Sequence, residues 1–216
     1  VRTVLNSGKI LVTADGLTSG AYGIVDRSGS VTAFANTNDI ITTLAAGGTG
    51  ERIAVDFRAN TAGMAFSNAG TITGDVLLGG GSQTMSIRGT GTINGKVVFQ
   101  AGASKAGASV LDMNGGTITG RVDLGNGNGG VILAGAKARG GFTMGTGTLG
   151  QFTASASDVS LLSTGPLRAE TATFSNASRV NFDISGAAGA PLLFANGNVS
   201  ISADTKLVTT ITGILE

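Results

Sequence analysis

GTITGDVLL at residues 70–78 returns as GTINGKVVF at 91–99 and as GTITGRVDL at 116–124, and a degraded copy, GTLGQF, begins at Gly147. The interval between starts lengthens along the chain, from Gly70 to Gly91, then Gly91 to Gly116, then Gly116 to Gly147, so a core unit is kept while its connectors grow. A repeat at such a period is the signature of a stacked architecture in which one unit cannot bury its apolar face alone. Alternation along each copy puts Ile72, Val76 and Leu78 on one face, and likewise Ile93, Val97 and Phe99, then Ile118, Val122 and Leu124. The opposite face carries Thr71, Thr73, Asp75 and Leu77, then Thr92, Asn94, Lys96 and Val98, then Thr117, Thr119, Arg121 and Asp123. Stacked as parallel strands about 4.8 Å apart, the copies pile aliphatic side chains inside and polar ladders outside.

Working outward, each copy is preceded by a short apolar pair: Met64 with Phe66, Met85 with Ile87, Leu111 with Met113, and Phe142 with Met144. One coil therefore holds at least two strands, and Gly74, Gly95 and Gly120 fall at a shared corner. The variable connectors read as outward loops, carrying Lys105 in one coil and Lys137 with Arg139 in the next. ArgIleAlaValAspPhe at 52–57 and LysValValPhe at 96–99 read as short strands. The fold class expected is all-β, a β-solenoid, with a twisted sandwich of short strands as the rival.

Composition agrees. Glycine contributes 37 of 216 residues and no window free of glycine shows helical periodicity, while 41% hydrophobic and 12% charged residues separate the chain from disordered tracts. Two prolines, Pro166 and Pro191, and no triplet period exclude collagen. A net charge of +1 with scattered basic residues gives no footprint for nucleic acid. No 18-residue apolar run is present to span a membrane as a helix. The N-terminal residues lack the pattern of a signal peptide, so the chain is expected to be a mature piece or a fragment.

Without His or Cys the chain supplies no SerHisAsp triad, no CysHis pair and no ordinary zinc site. No catalytic residue, cofactor-binding residue or metal ligand is assigned. Asp75 and Asp123 on the outer face invite a glycan-cleaving pair, since some solenoid enzymes work that way. The competing reading of Asp75, Lys96 and Arg121 is a solvated charge ladder, each pair worth under about 1 kcal/mol. The absence of Trp and a single tyrosine, Tyr22, weigh against a sugar platform. Gly125, Gly127 and Gly130 spell GxGxxG but no helix is expected after them. That stretch and residues 79–83 also resemble calcium-binding nonapeptide turns, yet lack the ligating aspartate. Tight turns account for both, and the AsnXxxSer triplets at Asn176 and Asn198 read as surface or turn positions.

Residues 21–40 and FSNAGTITGDVLLG at 66–79 resemble the repeats of bacterial autotransporter passenger domains. TATFSNASRVNFDI at 171–184, with 190–201 and 204–207, resembles the end of such a passenger ahead of its translocator barrel. The resemblance spans most of 21–212. It implies a right-handed parallel β-helix carried by type V secretion across the outer membrane and displayed or released outside, with a barrel following in the full-length protein. Residues 1–165 would form coils with variable loops, and 166–216 the passenger-end coils of the same solenoid, with about 166–212 nucleating folding. The function implied is a structural and adhesive stalk of a virulence-type surface protein, not an enzyme, meeting a host surface or sister molecules. The alternative is a polysaccharide-binding or polysaccharide-cleaving β-helix of the lyase or tailspike kind. No cofactor and no nucleic-acid partner is expected, and the binding residues are left open.

Overall fold

A computed structural model describes residues 2–100, 107–162, 166–185 and 192–212. Among these the protein is all-β, with no helix, and every strand pairing is parallel. Strands of the stack pair with their counterparts one turn of the chain further along, so the elements fall into nine layers in three columns. This architecture is consistent with a β-solenoid.

The first column runs from Thr3–Asn6 through Ala33–Asn36 and Met64–Asn68 to Val199–Ile201. Its inward row reads Val4, Phe34, Phe66, Met85, Leu111, Val131, Phe152, Ala172 and Val199, one residue per layer. Phe34 and Phe66 stack with ring centroids 4.7 Å apart, and Phe142 meets Phe152 edge-on at 5.5 Å. The second column has the row Ile10, Ile40, Ile72, Ile93, Ile118, Ala138, Val159, Val180 and Leu207. The third, present in six layers, stacks Ile24, Val55, Val76, Val97, Val122 and Phe142. The expected interior sets of the three long copies are all buried, Ile72, Ile93 and Ile118 completely. Each such side chain contributes roughly 1.5–3 kcal/mol by leaving water, which is what commits these strands to one register.

The shared glycine has a sharper cause than a corner. A β-carbon on Gly95 would stand 2.1 Å from the Gly74 carbonyl oxygen, one on Gly120 would stand 2.2 Å from that of Gly95, and one on Gly140 would stand 2.1 Å from that of Gly120. Backbone lies on backbone through four layers, leaving no room for a side chain.

Two polar ladders turn the chain between the first and second columns. In layers one to three, Asn6, Asn36 and Asn68 are buried and joined amide to amide. In layer four Ile87 occupies the row of Asn68, and the ladder stops. In layers seven and eight Ser157 and Ser178 take over: Ser157 Oγ accepts from Ala136 N–H at 3.1 Å, and Ser178 Oγ from Ser157 N–H at 3.2 Å. The adjoining turns hold Gly135, Ala156 and Asn176 at φ of 61°, 50° and 54°. The expected turn role of Asn176 is met there, and both it and Asn198 are exposed.

Three expectations are corrected. The copy at Gly147 is out of phase: Leu149 opens a first-column strand opposite Ala169, and the true sixth-layer counterpart of Ile118 is Ala138. The step from Ile118 to Ala138 is shorter than the step from Ile93 to Ile118, so the layer expected to carry the longest connector is more compact than the one before it. Lys137 accordingly lies in a strand, Lys137–Ala138, and Arg139 directly follows it; neither belongs to an outward loop. Phe142 is a third-column residue rather than half of a leading pair, because Val131 and Leu133 fill the first column there. Ala138 and Phe142 are both buried in the same apolar core all the same. Lys105 and Pro191 lie outside the described residues.

The large exposed apolar residues gather in the two end layers: Leu5, Leu11, Leu17, Tyr22 and Val25 in the first, Phe194, Val199, Ile201 and Leu207 in the ninth. Val199, Ile201 and Leu207 continue inward rows beneath Ala172, Phe174 and Val180, with no described layer on their far side.

Candidate functional site

The third-column outer face carries the residues weighed from the sequence. Asp75 precedes Val76 as Lys96 precedes Val97 and Arg121 precedes Val122, so the three are stacked. Lys96 Nζ reaches Asp75 Oδ2 at 3.2 Å, and Lys96 N–H donates to Asp75 Oδ1 at 3.0 Å. Arg121 continues the row without an ion pair among the described residues. Asp123 lies in the row of Val98 and Leu77, two positions along from Asp75, and accepts the Gly125 N–H at 2.9 Å. The structure therefore joins Asp75 to Lys96 but commits Asp123 to its own turn, and the two carboxylates belong to different rows two layers apart. After that turn Gly130–Ala134 enters a strand.

A shallow depression of ≈ 540 Å³ opens beside the first two layers, lined by Tyr22, Val25, Asp26, Arg27, Asp56, Arg58 and Ala59. The Tyr22 hydroxyl donates to Glu51 Oε2 at 2.8 Å, and that bond, with the carboxylate charge, holds the phenol above its ordinary range. Asp56 accepts from Arg58 Nε at 2.9 Å, Nη2 at 2.7 Å and N–H at 3.1 Å. Burial pushes the Asp56 carboxyl up, but the Arg58 bonds and charge outweigh it and hold the carboxyl low, while Asp56 raises Arg58 in turn. Asp26 accepts from Ser28 Oγ and from the N–H groups of Ser28, Gly29 and Val31. Those bonds overcome its desolvation and hold it below the carboxylate range. DRSGS at 26–30 is an Asp-led turn sequence, which is the signal for this staple. Both aspartates are occupied by groups of the chain itself.

The outer face of the second column differs toward its far end. Lys137 stands opposite Asp158, Asp158 opposite Arg179, and Arg179 opposite Lys206, all in one row. Arg139, two positions beyond Lys137, binds Asp158 Oδ2 through Nε at 2.7 Å and Nη2 at 2.5 Å. With that carboxylate engaged, Lys137, Arg179 and Lys206 have no ion pair among the described residues. Arg139, Asp158, Ser160, Arg179, Asn181 and Thr210 line a depression of ≈ 380 Å³. Thr210 Oγ1 and Asn181 Oδ1 lie 2.9 Å apart across adjacent strands. DVSLL at 158–162 and RVNFD at 179–183 share their phase, and that repeat marks the face in the sequence. Reading the GTI copies alone passes over it.

Among the described residues no three of His, Cys, Asp and Glu come together as a metal centre, and no helix is long and apolar enough to cross a membrane. Comparison with protein-family models, with characterised proteins and with solved structures gives no match.

Proposed function

We propose that the chain is part of an extracellular adhesive stalk, the right-handed parallel β-helix of an autotransporter passenger, without enzymatic activity of its own. The observation that carries this reading is the in-register stacking of layers around one apolar core. Such a stack gives length and rigidity from nearest-neighbour contacts alone, while leaving every outward row free to vary. The passenger-like repeats at 66–79 and 171–184 support the assignment to that secretion class. In this reading a translocator barrel belongs to the full-length protein, and the outward rows meet a host surface or sister molecules.

Display of the chain on a bacterial surface tests the proposal. Displaying cells should bind extracellular matrix or clump with one another more than cells bearing an empty barrel, and the purified chain should release no reducing ends from polysaccharides. Absence of both adhesion and clumping, or a measurable release of reducing ends, overturns it.

A further inference from the structure

The row Lys137, Asp158, Arg179 and Lys206 is spaced by the sheet itself. Adjacent strands lie about 4.8 Å apart, so Arg179 and Lys206 are one such step apart and Lys137 and Arg179 two. Arg139 holds the single carboxylate of this row with two donors, which leaves the Arg179 fork and two ammonium groups directed at solvent beside the depression. Two further carboxylates lie close by. Asp204 is bound to Ser202 Oγ and to the Ala177 N–H, and Asp183 sits two positions beyond Asn181 in register with Thr210. The depression adds neutral donors and acceptors in Ser160, Asn181 and Thr210, and no aromatic ring lines it.

We infer that this face binds a linear anionic glycan, one bearing carboxylate or sulfate groups, with Arg179 as its central contact. The inference rests on the proposed adhesive role and names the ligand class. A guanidinium matches the planar geometry of carboxylate or sulfate oxygens better than an ammonium does, which puts Arg179 ahead of Lys206. Hydroxyls of a sugar chain satisfy Ser160, Asn181 and Thr210, and cations repeated at multiples of about 4.8 Å suit a periodic polyanion held along the stack. An extended acidic peptide advances about 3.3 Å per residue and does not keep that step. A single-stranded nucleic acid gains its sequence-tolerant affinity from aromatic platforms, and the depression contains none.

Isothermal titration of the full chain with a heparin octasaccharide, oligogalacturonate, neutral dextran and oligothymidylate tests this. Heparin or oligogalacturonate should bind, with affinity falling as salt screens the charges, and dextran should not. Arg179→Ala should weaken binding about tenfold and Lys206→Ala about threefold, in line with the loss of charge-assisted hydrogen bonds. Arg179→Lys should recover part of the loss, and Lys96→Ala, on the other face, should bind as the parent does. Circular dichroism melts of the same variants establish that each is folded. Failure of both anionic glycans to bind overturns the inference, as does an equal loss in Lys96→Ala, which reports diffuse charge. Oligothymidylate binding as tightly as heparin, with the same dependence on Arg179, overturns it in favour of nucleic acid. Adhesion that persists without glycan binding sinks this inference and leaves the stalk reading standing; glycan binding without adhesion or clumping does the reverse.

Discussion

Asn36 donates its side-chain amide to the Asn68 side-chain carbonyl at 2.7 Å while accepting from Asn6 at 2.7 Å, and Asn36 and Asn68 are almost wholly shielded from water. Its second amide proton goes to the Asn38 carbonyl at 2.7 Å. Two of the three hydrogen bonds of this side chain therefore serve buried neighbours, Asn6 and Asn68. Asn36→Ala strands partners on both sides, each orphan costing about 1–3 kcal/mol, and the loss should total about 2–5 kcal/mol. Urea unfolding of the variant checks this, and a midpoint within error of the parent's contradicts the ladder.

Ile93 is enclosed by Ile72 on one side and Ile118 on the other. Truncation to alanine should cost about 2–5 kcal/mol, and Ile93→Asp considerably more, because an unpaired charge enters a dry interior. An aspartate variant that melts within a degree or two of the parent shows the column to be wrong.

Ala156 holds φ of 50° at a turn where the layer before it uses Gly135 and the layer after it Asn176. Left-handed backbone costs an L-residue roughly 1–2 kcal/mol, part of which glycine returns as greater freedom in the unfolded chain. Ala156→Gly should therefore stabilise the protein by up to about 1 kcal/mol, and Ala156→Val should destabilise it by more than that. Thermal melts of the two variants should move in opposite directions.

Asp26 and Asp56 titrate lower in the folded protein than in the unfolded chain, so each contributes stability above the ordinary carboxylate pKa of about 4. That contribution is lost as pH falls from there through the folded values, because the unfolded chain then binds more protons. Unfolding free energy measured between about pH 5 and pH 2 should fall less steeply in Asp56→Asn than in the parent. Parallel slopes would show that Arg58 does not hold that carboxyl low.

A nucleating role for the C-terminal coils requires the best-packed end of the stack to lie there. Phe174 and Leu192 are buried, but Phe194 stands outside beneath the Arg168 guanidinium at 5.7 Å, and Ile201 and Leu207 are about half exposed. Hydrogen exchange should therefore be slow in 171–182 and fast in 199–209, with 70–98 slower than the latter. Protection of 199–209 equal to that of layers three to five would contradict this and support a nucleating role for the whole segment.

What is legible in the sequence follows the physics of repetition. Where isoleucine is flanked by isoleucine on both sides, as at Ile72 and Ile93, identity recurs and phase is plain. Where alanine takes the isoleucine's place in the row, as at Ala138, identity fades, and a chance GTL at residue 147 imitates the next copy. The Asn6, Asn36 and Asn68 ladder is hidden because the layers separating its members are longer than the intervals between the first GTI copies. The charged faces are legible only in part. Asp75 and Lys96 follow the GTI phase, whereas Arg139 reaches Asp158 diagonally, a contact set by side-chain length rather than by alternation.

Stacking in register also sets the unit in which this chain can change length. Gly130 and Gln151 occupy the same place in successive layers. Excising the stretch 130–150 joins Gly129 to Gln151 and leaves every remaining inward residue inward, whereas a one-residue slip within a paired strand turns that strand inside out. A whole layer gained or lost in this way shifts the distance between the two ends by about 4.8 Å, whereas residues added to a connector leave it unchanged. Reach becomes a heritable quantity that recombination between neighbouring repeats can adjust in equal steps, without redesign of the interior.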